Sequence, residues 1–582
     1  MRRLTSVTAR RFMVATANPL ASRAAQAVLA AGGSATDAVV AAQMMLALVE
    51  PQSSGLGGGA FLVTFDAASR RVEAWDGRET APAAADEKLF LDAQGKPLPF
   101  TTAVVGGRSV GVPGAVRMLE LAHHARGRLR WRELLSPAID AARDGFEIGP
   151  RLATLIAGDT ALKNDPVAAA YFFDADGRPL AAGHRLRNPT FADTLAQIAE
   201  RGSAALHEGP IAEAIVAKVR THPTNPGVMT AADLADYRAL HRDPLCFDWQ
   251  RWRLCGMPPP SSGTIALGQI LGILEARGFA GLVLRNGSAA PQLDPEGVHR
   301  FSEAGRLAYA DRARYVADSD FVPLPPGLLA PGYLQSRARQ IGDRSMGVAD
   351  AGAPRAFEYP ERGTSHVSVV DADGNAASLT TTIEGQFGSK QMVAGFLLNN
   401  ELTDFSFAAT EPVGADRTPQ PVANRVQPGK RPRSSMTPLL IFERVDGPAA
   451  PAESPQAAVA QAAGAAPRRL GPLVMVTGSP GGSAIINYVA KTVIATLHDG
   501  IDPQQAIDLP NIGSRNGPTE LERGRVAPEL IQALRERGHE TREIAQTSGI
   551  QTILRRCEDR MPDRCQWIGA ADSRREGIAL GE

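Results

Sequence analysis

A threonine hydroxyl is a weak nucleophile until a base stands beside it. In the run Gly363-Thr364-Ser365-His366 that base appears if the chain is cut after Gly363. Thr364 then carries a free α-amine, with an ordinary pKa of about 7.7–8.0, next to its own hydroxyl. The cut itself needs only attack of the Thr364 hydroxyl on the Gly363 carbonyl, followed by hydrolysis of the resulting ester. Glycine at 363 permits a strained backbone and crowds nothing. A hairpin supplies a second hydroxyl. His366 to Asp371 and Ala376 to Thr382 are β-branched runs on either side of Asp371-Ala372-Asp373-Gly374-Asn375. If the turn centres on Asp373, Thr382 lies opposite Thr364 and can orient it. A two-residue Asp373-Gly374 turn would shift the pairing by one. On spacing alone, threonines at strand ends are also ordinary strand formers, and both readings stand.

Other chemistries lack their patterns. There is no H-E-x-x-H, and the histidines show no metal-ligand spacing, so no metal is expected. There is no phosphate loop of the G-x-x-x-x-G-K-[ST] type and no S-x-x-K. Thr477-Gly478-Ser479-Pro480-Gly481 resembles a nucleophile elbow, but Pro480 would obstruct the helix that must follow. Gly55-Leu56-Gly57-Gly58-Gly59-Ala60 fits the dinucleotide spacing G-x-G-x-x-A. A helix precedes it and the strand Phe61 to Phe65 follows it, the reverse of what a dinucleotide loop requires. It reads as a tight loop where backbones approach closely.

The elements around these residues can be read from caps and periodicity. Asn18-Pro19 starts a helix that Gly32-Gly33 stops, and Ser34 with Asp37 caps a second helix running through Val49. The stretch from about 110 to 350 reads as mostly helical, with Pro258-Pro259-Pro260-Ser261-Ser262-Gly263 leading into a helix from Thr264 to Arg277. Strands follow from about 364, including Pro438 to Arg444 and Leu473 to Thr477. Residues 447–472, rich in Ala, Pro and Gln, read as a low-complexity surface insert.

Charge narrows the function classes. Lys+Arg and Asp+Glu are both 62 in 582 residues, which removes the electrostatic case for binding nucleic acid or an anionic membrane. No apolar run is long enough to span a bilayer. Met1 to Arg11 is basic and lacks the apolar core of a secretory signal, so the chain either stays inside or follows an upstream presequence. Cys246, Cys255, Cys557 and Cys565 form no C-x-x-C. They form two local disulfides in an oxidising compartment or remain four thiols.

Seven blocks in order, from about residue 14 to the C-terminus, resemble the γ-glutamyltransferase (glutathione hydrolase) family. Gly363 to Asp371 resembles its nucleophile strand. Asn18 to Ser22 with Glu50-Pro51-Gln52-Ser53-Ser54-Gly55 resembles its N-terminal signature, and Leu397 to Phe405 its substrate segment. Lys430-Arg431-Pro432-Arg433-Ser434-Ser435-Met436 and Thr477 to Gly482 resemble its binding and oxyanion loops. Met257 to Gly263 and Gly569 to Arg575 fit as well.

The resemblance implies an α+β fold of the N-terminal-nucleophile hydrolase type: a four-layer αββα sandwich formed jointly by two autocleaved subunits, 1–363 and 364–582. It implies Thr364 as nucleophile, Thr382 as its hydrogen-bonding partner, and Gly481 and Gly482 as the oxyanion hole. Arg78, Ser434 and Ser435 would hold the α-carboxylate of a γ-glutamyl group, and Glu384, Glu401 and Asp404 its α-ammonium. The expected reaction cleaves the γ-amide of glutathione or a related donor and passes the acyl group to water or to an amino-acid or peptide acceptor, with no cofactor. Periplasmic or secreted location follows from the resemblance alone.

Two departures bear on specificity. Glu384 stands where the pattern usually has Asn, and the stretch from Phe407 to Gln427 has no Tyr, where some bacterial members close their pocket with an aromatic. A glutaryl or cephalosporin-type acylase of the same fold therefore competes, as does a binding protein that is never cleaved.

Overall fold

A computed structural model describes residues 4–284, 290–350, 363–413, 417–445, 470–558 and 564–582. The chain is mixed α/β and centres on two seven-stranded sheets. The first has the order Ile578–Gly581, Met13–Thr16, Gly363–Val370, Ala376–Glu384, Gly59–Asp66, Arg71–Gly77, Leu240–Arg242. The second has the order Val7–Ala9, Cys565–Ala571, Gln551–Cys557, Leu470–Gly478, Leu439–Arg444, Trp252–Gly256, Leu245–Trp249. Every neighbouring pair in both is antiparallel.

The predicted hairpin is the centre of the first sheet. Thr364 pairs with Thr382 and Val370 with Ala376, so the turn centres on Asp373. All residues of both strands are buried. Such continuous burial requires partners on both faces. On one side Val370 and Ala376 share an apolar cluster with Leu440, Phe442, Val476 and Ile553 of the second sheet. On the other, Val367, Val369 and Leu379 pack with the first two helices.

Those helices begin as their caps predict. Asn18 accepts from the Leu20 N–H at 3.0 Å ahead of Pro19–Ala30, and Ser34 and Asp37 form a reciprocal capping box ahead of Ala35–Val49. Every residue of Ala35–Val49 is buried, as expected for a helix apolar all round. A second apolar cluster joins Leu254, Leu439 and Met475 to the helices Gly263–Ala276, Pro295–Tyr315 and Ile485–Val493.

The middle of the chain is less uniformly helical than its sequence suggests. Leu240–Arg242, Leu245–Trp249 and Trp252–Gly256 are strands that extend an edge of each sheet. The insert reading, residues 447–472, ends differently: Leu470 to Pro472 belong to the strand Leu470–Gly478, and the rest of that reading, up to residue 469, lies outside the described residues. The four cysteines form two disulfides, Cys246–Cys255 and Cys557–Cys565, each joining residues directly opposite across antiparallel strands. Among the described residues, no helix is long and apolar enough to cross a membrane.

Candidate active site

Thr364 is the second residue of its strand, and the ladder shifts register between Gly363 and Thr364, so that Gly363 pairs with Glu384. The Thr364 and Thr382 hydroxyl oxygens are 3.3 Å apart. Thr382 Oγ1 donates to the Gly363 carbonyl at 2.8 Å and accepts from the Glu384 N–H at 2.8 Å. On the far side Arg575 Nη1 donates to the Thr364 carbonyl at 2.7 Å. The peptide joining Gly363 to Thr364 is thus held from both ends, by the Thr382 hydroxyl on the Gly363 carbonyl and by the Arg575 guanidinium on the Thr364 carbonyl.

The Gly55 loop closes against this strand. A Cβ on Gly58 would sit 2.1 Å from the Thr382 carbonyl oxygen, so only glycine allows the loop to lie there. Glu384 has φ +73°, a left-handed conformation that non-glycine residues rarely adopt. It is held there by Thr382 and by Asn400, whose Nδ2 donates to Glu384 Oε2 at 2.6 Å. Asn400 also receives the Gly385 N–H and donates its own N–H to the Ile383 carbonyl. These bonds dock the short helix Glu401–Asp404 at the end of the Thr382 strand.

From that helix two carboxylates reach Arg78. Its Nη1 bonds Glu401, and its Nη2 lies 2.6 Å from Asp404 Oδ2. The backbone carbonyls of Pro432 and Arg433 accept from the same guanidinium, which brings the Ser434-Ser435 loop alongside. Burial disfavours the Arg78 cation, but Glu401, Asp404 and Glu79 outweigh it and raise its pKa. Glu79 is fully buried 4.0 Å from Arg78. Burial, reinforced by the nearby charge of Glu401, pushes its pKa well up.

Gly481 and Gly482 follow the strand Leu470–Gly478 and open a short helix that continues into Ile485–Val493. The N–H groups at such a start have no partner within the helix. Gly481 has φ +133°, and a Cβ there would meet the Tyr488 ring at 2.5 Å. The loop adjoins the Thr364 strand through two contacts: the position of a Gly478 Cβ is 2.2 Å from the His366 ring, and Gly549 is wedged between Pro480 and the Arg575 that binds the Thr364 carbonyl.

Residues 21–451 and 467–582 match the family model described as gamma-glutamyltranspeptidase. The chain belongs to the γ-glutamyltranspeptidase family. It is 35% identical to a glutathione hydrolase proenzyme of Bacillus subtilis (strain 168), across 98% of this chain and 91% of that protein. It is 33% identical to the glutathione hydrolase proenzyme of Escherichia coli (strain K12), across 94% and 89%. Among solved structures, the cephalosporin acylase from Bacillus halodurans superposes with a TM-score of 0.80 at 26% identity, covering 100% of this chain and 98% of that one. This chain is accordingly an enzyme of the γ-glutamyltranspeptidase type.

The structure also gathers residues that sequence spacing did not connect. His299, Glu303 and His539 place potential metal-ligand atoms within 4.8 Å of one another. The first two are one helical turn apart, but the third comes from 240 residues away. Their hydrogen bonds close without an ion. His299 Nε2 faces the Gly342 carbonyl, which makes it the protonated nitrogen, and Nδ1 then accepts from His539 Nε2. His539 Nδ1 accepts from Thr519, and Arg306 donates to Glu303 at 2.9 Å. A cation there would displace a guanidinium, so the cluster reads as a structural network. Arg312 is the other residue that sequence reading passed over; it donates to Ser435 Oγ at 2.6 Å. Its signal would have been an arginine near the end of a helix, which single-sequence patterns cannot distinguish from a C-terminal dipole partner.

Proposed function

We propose that the protein is a self-cleaving γ-glutamyl hydrolase/transferase in which Thr364 is the nucleophile. The observation that carries this is the position of Thr382 Oγ1, which touches the Thr364 hydroxyl and donates to the Gly363 carbonyl. That donor polarises the carbonyl that Thr364 must attack. Attack gives an ester between Gly363 and Thr364 Oγ1 and releases the Thr364 nitrogen as an amine. Water then hydrolyses the ester, leaving subunits 1–363 and 364–582 joined by the shared sheet. The two sheets with helices on their outer faces support the reading of a four-layer αββα sandwich built by both subunits.

After cleavage the Thr364 amine serves as base for its own hydroxyl. The hydroxyl attacks the γ-carbonyl of a donor such as glutathione, and the Gly481 and Gly482 N–H groups face the developing oxyanion. Contacts of that kind are worth about 2.7–4 kcal/mol each. The amine delivers the proton to the leaving group, and water or the amine of an amino acid or peptide resolves the γ-glutamyl ester. The alternation of charge around Arg78 suits a zwitterion. The donor's ammonium goes to Glu401 and Asp404, with Glu384 beside them, and its carboxylate to Arg78, Ser434 and Ser435. Two disulfides favour an oxidising compartment, periplasmic or extracellular.

The similarity to a cephalosporin acylase favours a second reading, in which the acyl group is glutaryl. That group has no α-ammonium for Glu401 and Asp404 to hold. Intact-mass measurement of the wild type and Thr364→Ala, each offered γ-glutamyl and glutaryl anilides, separates the readings. Expected are a wild type split after residue 363 that releases anilide from the γ-glutamyl compound, and a variant that stays whole and inactive. Release from the glutaryl compound alone selects the second reading, and an uncleaved folded wild type rejects both.

A further inference from the structure

Arg312 lies one turn before the end of the helix Pro295–Tyr315. Its Nε donates to Ser262 Oγ at 2.7 Å and its Nη2 to Ser435 Oγ at 2.6 Å. The guanidinium also lies over the Tyr309 ring, 5.7 Å from its centroid. Among the described residues it forms no ion pair, and its Nη1 donates to nothing. Arg78, which donates to the Pro432 and Arg433 carbonyls ahead of the Ser434-Ser435 loop, already carries Glu401 and Asp404. The neighbouring Arg433 spends Nη1 on the carbonyls of Arg312, Ala313 and Val316 and likewise forms no ion pair among the described residues. Burial lowers both pKa values, that of Arg433 to about 9 with Arg312 adding to the effect. The nearby Asp404 carboxylate works against both shifts without outweighing burial.

The contacts also set the direction of a hydroxyl. A guanidinium only donates, so Ser435 Oγ is the acceptor in its bond with Arg312. Ser262 spends its own proton on the Ser434 carbonyl at 2.6 Å. The Ser435 proton has no acceptor among the described residues and is left to donate to whatever enters beside the loop. A hydroxyl whose oxygen is already engaged and whose proton is left to give, beside a guanidinium with no ion pair among the described residues, is suited to a carboxylate.

We propose that Arg312 is a specificity-determining residue of the donor site: it fixes Ser435 as a hydrogen-bond donor and supplies positive charge not held in an ion pair among the described residues, which admits the α-carboxylate of a γ-glutamyl compound. This rests on the γ-glutamyl reading above. Arg78 is neutralised by two carboxylates, so it supplies orientation once the ammonium has engaged them, whereas Arg312 supplies the net attraction.

The test uses the self-cleaved enzyme and its Arg312→Gln, Arg312→Lys, Ser435→Ala and Arg312→Gln/Ser435→Ala variants with γ-glutamyl anilide. Cleavage into two fragments reports folding independently of turnover. Expected for Arg312→Gln is a KM raised about tenfold or more with kcat within threefold. The double variant should be little worse than Arg312→Gln alone, because Ser435 is oriented by Arg312. The inhibition constant of 4-aminobutanoyl anilide, which lacks only the α-carboxylate, should be unchanged in all variants. Arg312→Lys retains the charge but cannot span both serines and should raise KM about threefold; it decides the matter if Arg312→Gln fails to cleave. An unchanged KM overturns the proposal, as do equal losses toward the γ-glutamyl and 4-aminobutanoyl compounds. A wild type that uses glutaryl but not γ-glutamyl anilide overturns the γ-glutamyl reading itself, and the Arg312 proposal with it.

Discussion

Thr382 Oγ1 gives its one proton to the Gly363 carbonyl at 2.8 Å while lying 3.3 Å from Thr364 Oγ1, so in the pair of hydroxyls Thr364 is the donor. A hydroxyl has a single hydrogen, and the Glu384 N–H occupies another face of the same oxygen. In the uncut chain Thr382 therefore does two jobs at once. If Thr364 is the nucleophile, as proposed, Thr382 withdraws electrons from the carbonyl to be attacked and accepts a hydrogen bond from the attacking hydroxyl. Once the Gly363 carboxylate has left, the proton of Thr382 is released and can point at Thr364.

Thr382→Val, which keeps shape and removes the hydroxyl, is expected to slow self-cleavage about a hundredfold, the usual cost of one oxyanion donor. Thr382→Ser should cleave at a rate close to wild type. Intact mass followed over time from freshly made precursor reads both rates. Equal rates in Val and Ser variants would remove Thr382 from the cleavage chemistry.

Arg78 and its two carboxylates make a sharper prediction about charge than about shape. Arg78→Lys keeps the charge, but an ammonium cannot span Glu401 and Asp404 as the planar fork does. KM for a γ-glutamyl donor is expected to rise at least tenfold. Arg78→Met leaves Glu401 and Asp404 without their cation and should cost about 3–5 kcal/mol of stability, read as a lower denaturant midpoint. If Met is as stable as Lys, the guanidinium is not what balances these carboxylates.

Much of this arrangement was legible in the sequence because it is local. The Asn18 and Ser34 caps, and the hairpin that puts Thr382 opposite Thr364, depend on residues within a few positions or on a turn with Asp, Gly and Asn in it. The strands from Leu240 to Gly256 escape sequence reading because they are only three to five residues long. Runs that short carry too few alternations to outweigh the helical segments around them. The network around His299 and His539, and the reach of Arg312 to Ser435 across 123 residues, are tertiary. No periodicity announces them. In sequence the residues of the Glu401–Arg78–Asp404 bridge read only as a set of substrate contacts, because Arg78 is more than 320 residues from both carboxylates and their mutual neutralisation appears only when the fold brings them together.

Glu384 combines an unusual backbone with an unusual charge. At φ +73° an Asn is better accommodated than a Glu, so Glu384→Asn is expected to be as stable as wild type or up to about 1 kcal/mol more stable. Its effect on specificity runs the other way. On the proposed γ-glutamyl reading, removing the Glu384 carboxylate weakens the hold on an α-ammonium and lessens repulsion of an acyl group that lacks one. The ratio of kcat/KM for γ-glutamyl over glutaryl anilide should fall several-fold, in keeping with about 1 kcal/mol for one partly screened charge. An unchanged ratio would place Glu384 outside the donor site.

His366 links the nucleophile strand to acid stability. It is fully buried against Gly478, with Nδ1 2.9 Å from Thr380 Oγ1 and Nε2 3.1 Å from Ser368 Oγ. Ser368 gives its proton to the Gln551 carbonyl, so it accepts from His366 Nε2–H, and the ring is neutral. Burial lowers its pKa from 6.5 to about 3. Between those values the unfolded chain binds a proton that the folded chain refuses, so stability falls as pH falls. The contribution is intact above pH 6.5, erodes below it, and levels off near pH 3. It amounts to roughly 4–5 kcal/mol over that range. His366→Gln can accept from Thr380 and donate to Ser368 without titrating. Thermal melts from pH 4 to pH 8 should show the variant below wild type at neutral pH but with a shallower acid limb. Because the ring packs on Gly478, at the end of the strand that leads to Gly481 and Gly482, the wild-type acid limb should carry donor turnover down with it. Parallel limbs in the two proteins would assign the acid sensitivity to other groups.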